Sequence, residues 1–125
     1  MEGINTKDFN DYVVIGLGRF GKSLALNLVE QGKKVLAIDN QKENIEEIAG
    51  SVTHAVVADV TQKDVLHSLG VQNFDCAVIC IGGTLSASML ATSICKELGV
   101  GYVYDKALAV VTILPERNDD KCKHN

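Results

Sequence analysis

Six residues near the start of the chain, Gly16-Leu17-Gly18-Arg19-Phe20-Gly21, restrict its fold more than any other feature. They follow directly on an apolar, strand-like run, Tyr12-Val13-Val14-Ile15, and open a segment in which Phe20, Leu24 and Leu28 recur at helical spacing. A second apolar run, Val35-Leu36-Ala37-Ile38, ends in Asp39, about 20 residues beyond the turn. Strand, glycine turn, helix, strand and terminal acid, in that order, form the sequence pattern of a βαβ unit that holds a dinucleotide. In that pattern Gly16 permits the tight turn, Gly18 lets the backbone approach a pyrophosphate, and Gly21 lets the helix pack close to the sheet. The helix N-terminus adds unpaired N–H groups for phosphate oxygens. Asp39 is placed to accept hydrogen bonds from ribose hydroxyls. The competing reading is that the glycines serve helix and strand packing alone.

The rest of the chain repeats the alternation. A polar lead-in over 1–11 precedes strands predicted at about 12–16, 33–39, 53–59, 76–81 and 100–104, with helices at about 19–31, 43–49, 63–70 and 85–98. The fourth strand, Cys76-Ala77-Val78-Ile79-Cys80-Ile81, is almost continuously apolar and stops at Gly82-Gly83, as a central parallel strand covered on both faces should. Such alternation predicts an α/β domain over 12–116: a Rossmann-like open parallel sheet, strand order 3-2-1-4-5, with helices on both faces. Ligand is expected above strands one and four, where the order reverses. A polar tail over 117–125 completes the chain.

At 125 residues and 46% hydrophobic content the chain can bury one core, but it is too short for a typical two-domain dehydrogenase. A net charge of −4 argues against nucleic acid and anionic membrane surfaces as partners, since both require a concentrated positive field. The polar N-terminus does not resemble a signal peptide and no apolar run reaches the ~18 residues of a membrane span, so a cytoplasmic location is expected. Cys76 and Cys80, about 13 Å apart along a straight strand, cannot readily share one tetrahedral metal. With Cys95 in a helix and Cys122 in the tail, reduced and mostly buried thiols are expected, and no metal site.

From Val13 to Ala107 the sequence resembles the N-terminal nucleotide-binding half of TrkA/KtrA-type potassium-uptake regulators, the RCK or KTN domain. The resemblance rests on Val14-Ile15-Gly16-Leu17-Gly18-Arg19-Phe20-Gly21, Val35 to Asp39, Thr53 to Asp59, Phe74-Asp75 and Lys106-Ala107. It implies a cytosolic subunit, associated with the inner face of the membrane through its transporter. Such a subunit binds ATP, ADP or NAD(H), assembles into dimers or rings, and gates a membrane potassium transporter. It further implies that Arg19 neutralises ligand phosphate, Asp39 holds the ribose, Asp59 lies beside the adenine end and Lys106 sits near the phosphates. A guanidinium suits the first role because it stays charged and makes forked bonds. Phe20, Asn40, Val60, Ile81 and Gly82 complete the expected contact set. Alternatives stay open: Arg19 as a solvated residue of the first helical turn, Asp59 as a cap of the following helix, and Lys106 as an ordinary surface lysine. The chain departs from the family at Leu108 to Glu116, where the next helix looks shortened or deleted. Against the full-length family pattern, the second, C-terminal regulatory domain is expected to be absent, as in a truncated or divergent stand-alone protein.

Two rival functions remain. A small NAD-dependent oxidoreductase, or its cofactor half, is suggested by Tyr102-x-x-x-Lys106, but that pair needs a helix to share one face and lies here in a predicted strand. A self-assembly scaffold rests on Met89, Leu90 and Ile94, residues expected in the core. Among nucleotides, Asp39 disfavours NADP, whose 2′-phosphate would meet its charge, an effect that nearby Lys42 would partly offset, and the full fingerprint leans toward NAD(H) over ATP or ADP.

Overall fold

The computed structural model describes residues 9–107 and 110–113. In chain order they form β1 (Asp11–Ile15), α1 (Arg19–Glu30), β2 (Lys34–Asp39), α2 (Lys42–Ile48), β3 (His54–Val57), α3 (Lys63–Ser68), a 3-10 turn at Val71–Asn73, β4 (Cys76–Ile79), α4 (Leu85–Leu98), β5 (Tyr102–Asp105) and β6 (Val110–Ile113). The polar tail, Cys122 and most of the lead-in lie outside the described residues.

The strands form one sheet ordered β3-β2-β1-β4-β5-β6. The first five are parallel, in the predicted 3-2-1-4-5 order, with Val14 of β1 paired to Ala37 on one side and Val78 on the other. Alternation along β1 shows how both faces are filled. Tyr12 and Val14 join Ala25 and Leu28 of α1 and Ile45 and Ile48 of α2, whereas Val13 and Ile15 join Leu66 of α3 and Ala91, Ile94 and Cys95 of α4. A strand buried on both faces has no polar side, which is why β1, β2 and β4 read as unbroken apolar runs. β3, at the sheet edge, leaves His54 and Val57 exposed.

Three features differ from the sequence reading. Phe9, inside the segment read as polar, is buried, with its ring 5.9 Å from that of Tyr12 and 4.6 Å from that of Tyr102. Phe20, Met89 and Leu90 are exposed, and of the last helix's apolar trio only Ile94 is core. The chain also turns back after β5, and β6 runs antiparallel to it, pairing Asp105 with Val110 and Tyr102 with Ile113. This hairpin stands where the sequence showed a shortened or deleted helix. Asp105, read as lying beyond the strand, is its last residue; its Oδ1 accepts the Ala107 N–H at 3.0 Å, an Asx turn that starts the reversal.

Gly16 leaves β1 at φ +98° and donates its N–H to the Ile38 carbonyl at 2.8 Å. A Cβ at Gly16 would lie 2.7 Å from the Cys80 carbonyl carbon, and one at Gly21 would lie 2.0 Å from the Gly16 oxygen. Backbone therefore meets backbone at both positions, and no side chain can yield to relieve the overlap. Gly16→Ala is expected to cost about 3 kcal/mol through strained φ and overpacking, measured as a lower urea midpoint at unchanged m-value.

Candidate functional site

The carboxyl ends of β1, β2 and β4 open onto a cleft with two lobes. On the β2–β3 side a lobe of about 330 Å³ is lined by Gly16, Asp39, Asn40, Asp59 and Val60, among others. On the β5 side a lobe of about 450 Å³ is lined by Arg19, Phe20 and Lys106, together with the residues that start α4. Gly18, Cys80, Ile81 and Gly82 border both, so the lobes are continuous across the glycine turn. Of the nucleotide-contact residues expected from the sequence, Gly21 alone does not line the cleft; it is buried against Gly16.

Asp39 is 7% exposed and its carboxylate is heavily used. Oδ2 accepts the Leu17 N–H at 2.7 Å and Asn44 Nδ2 at 3.3 Å, while Oδ1 accepts the Gln41 N–H at 2.7 Å. One side chain thus joins the glycine turn, the end of β2 and the start of α2. A carboxylate has about four acceptor sites, so room for about one further donor remains, on Oδ1.

Asp59, which is exposed, closes its own loop: Oδ1 accepts the Thr61 N–H at 2.9 Å and Thr61 Oγ1 at 2.6 Å. It does not cap α3, whose N-cap residue is Gln62. The Thr61 hydroxyl, and then its N–H, hold the Asp59 carboxyl below its ordinary 3.8.

Across the turn the charge changes sign. Arg19 and Phe20 begin α1, and Lys106 Nζ lies 4.9 Å from the centre of the Phe20 ring, a cation–π distance. The first turn of α1 has no side-chain cap, because its N-cap residue is Gly18. At α4, by contrast, Thr84 Oγ1 accepts the Ala87 N–H at 3.3 Å. Gly18 has φ −70°, open to any residue, and a Cβ there would meet nothing within 4 Å. The same space surrounds Gly82. The protein's own packing requires glycine at neither position.

Cys80, at the junction of the lobes, is a neutral thiol pushed up to about 12 by burial, with Lys106 opposing the shift and Asp105 adding to it. Cys76 and Cys95 are likewise free, buried and raised to about 12. Among the described residues no His, Cys, Asp and Glu group is arranged to hold a metal ion. Tyr102 packs on Phe9 at one end of β5 and Lys106 follows the other end, so the Y-x-x-x-K pair does not converge.

The sequence reading missed Leu17, Asn44, Thr61 and Asp105. Thr61 had a signal, since Asp-x-Thr is a common side-chain turn, and Asp105 had another in its place at the end of an apolar strand. The Leu17 N–H carries no side-chain signature.

A family model of the TrkA-N domain matches residues 12–115. The chain belongs to the TrkA-N domain family. It is 44% identical over 97 residues to the Ktr system potassium uptake protein C of Bacillus subtilis, covering 78% of this chain and 44% of that protein. To the Ktr system potassium uptake protein A of the same organism it is 42% identical over 96 residues, covering 77% of this chain and 43% of that protein. The chain thus spans less than half the length of these curated relatives. In structure it is similar to the NAD(P)-binding domain of an exopolyphosphatase-related protein from Archaeoglobus fulgidus. The TM-score is 0.67 and the identity 29%, over 77% of this chain and 71% of that one.

In this TrkA-N domain, Asp59 should titrate below 3.8, and Thr61→Val should bring it back toward that value, followed by the carboxyl carbon shift against pH. Because the folded value is depressed, any stabilisation from this carboxylate is present above the unfolded value and is lost as pH falls through the folded one.

Proposed function

We propose that this TrkA-N domain is a nucleotide-binding regulatory domain of a potassium uptake system and not an enzyme. The observation that carries the reading is the segregation of charge along one cleft: Asp39 and Asp59 border one lobe, Arg19 and Lys106 the other, with an uncapped helix start between them. An adenine nucleotide has the matching polarity. Its ribose hydroxyls can donate to the remaining acceptor site of Asp39, its base lies toward Asp59 and Val60, and its phosphates cross the space left open by Gly18 and Gly82. Anions are favoured there by the α1 N-terminus. Arg19 and Lys106 complete the phosphate side, and Asn40 and Ile81 form walls.

A nucleotide with two nucleosides uses both lobes, which favours NAD(H) over ATP or ADP; the buried charge of Asp39 disfavours a 2′-phosphate. The Ktr relatives point to a membrane potassium transporter subunit as partner, with this domain in the cytoplasm at its inner face, acting as a homodimer or ring. Ligand would act there through differential affinity, a 100-fold preference for one assembly state shifting the balance by about 2.7 kcal/mol. The oxidoreductase alternative lacks support at the cleft, where Tyr102 is absent from both lobes.

Calorimetric titration with NADH, NAD, ATP and ADP tests the reading, with Gly18→Ala as the diagnostic variant. Asp39→Ala is less clean, because it also releases the Leu17 and Gln41 N–H groups. A Cβ at residue 18 has free space in the protein itself. Gly18→Ala is therefore expected to melt like the parent and to weaken micromolar binding at least tenfold, about 1.4 kcal/mol. Failure of all four nucleotides to bind at millimolar concentration would overturn the assignment.

A further inference from the structure

Among the described residues, Asp105 is the one buried acid that the proposed nucleotide contacts leave unused. It is 1% exposed and ends β5. Three donors converge on it: Ser88 Oγ at 2.7 Å and the Ala107 N–H at 3.0 Å on Oδ1, and Thr92 Oγ1 at 2.8 Å on Oδ2. Among the described residues no ammonium or guanidinium forms an ion pair with it. A buried carboxylate without a countercharge is costly unless it is well hydrogen-bonded, and here three of its about four acceptor sites are taken, by donors from two different elements. Ser88 and Thr92 are one turn apart on the same face of α4, while Ala107 belongs to the turn that carries Lys106.

We propose that Asp105 is a positioning residue for the phosphate side of the cleft: it fastens the Lys106 turn to α4 and so sets where the lysine side chain starts. This rests on the nucleotide reading above. The geometry of the turn supports it. The Lys106 N–H donates to the Ile79 carbonyl at 2.9 Å, and the next N–H, of Ala107, donates to Asp105. The backbone is thus held on both sides of the lysine Cα, while the side chain remains exposed and reaches over Phe20. With the ammonium not engaged by Asp105, it is available to an anion.

The test compares ligands that do and do not reach the second lobe. AMP fills the first lobe and the glycine turn; NADH and ATP extend toward Lys106. Relative to wild-type protein, Asp105→Asn is expected to weaken NADH or ATP at least tenfold and AMP less than twofold. Lys106→Ala should reproduce that selectivity, and the double variant should lose no more than the single ones, as expected of two residues acting in series. Equal losses for AMP and NADH, unchanged NADH affinity, or additive losses in the double variant would overturn the positioning role while leaving the nucleotide site standing. Absence of all binding by the wild-type protein would overturn the nucleotide reading, and this inference with it. Should Asp105→Asn melt below the assay temperature, Thr92→Val and Ser88→Ala carry the same comparison, since each removes one donor and keeps the carboxylate.

Discussion

The hydrogen bond from the Leu17 N–H to Asp39, 2.7 Å long and buried, fixes the shape of the cleft. It ties the middle of the glycine turn to the end of the neighbouring strand. A bond to an ionised partner of this kind contributes roughly 1.5–3 kcal/mol. Because Gly16 is also pressed against the backbone of Cys80 and bonded to Ile38, the turn is held from β2 and β4 together. The start of α1 follows from that clamp. With Gly21 lodged over the Gly16 carbonyl, the helix has one available approach, and its N-terminus faces the space between the lobes. Asp39 is thus a structural residue first, with acceptor capacity left over for a ligand.

The glycines of the turn divide by what surrounds them. Gly16 and Gly21 are required by the fold, since backbone atoms occupy the place of their Cβ atoms. Gly18 is not, and neither is Gly82 across the cleft. A Rossmann-like domain whose fingerprint were only architecture would keep the first pair and be free to replace the second. The space left by these two small residues, beside an uncapped helix start, has the character of an anion site. Charge is segregated along the same cleft, with Asp39 and Asp59 bordering one lobe and Arg19 and Lys106 the other.

How much of this was legible in the sequence depended on distance along the chain. The βαβ unit could be read because its signals are local: unbroken apolar runs mean strands covered on both faces, and glycine spacing fixes the turn. Most of the cleft followed, since the ends of parallel strands gather on one side of the sheet. Phe9 could not be read, because its burial depends on Tyr102, which reaches it only through the sheet. Met89 and Leu90 have the composition of core residues, but α4 shows the sheet a face defined by Ser88, Ala91, Ile94 and Cys95. The hairpin at β6 was hidden for a related reason: its turn is organised by a buried acid whose other partners sit on α4.

The two lobes differ in rigidity, and that difference bears on regulation. In the first, Asp39 is buried with its main acceptors filled, so it changes little whether or not a nucleotide is bound. Contacts of that kind raise affinity equally for every state of an assembly and shift none of them. In the second, Arg19, Phe20 and Lys106 are exposed side chains on fixed backbone. To meet a phosphate, Lys106 exchanges a contact with the Phe20 ring, worth roughly 0.5–1 kcal/mol where exposed, for a stronger charge-assisted bond. A group that can exchange partners in this way is one means by which a ligand is bound differently in two states. Under the proposed function, the acidic lobe therefore supplies affinity and the basic lobe supplies discrimination, with Asp105 linking the latter to α4.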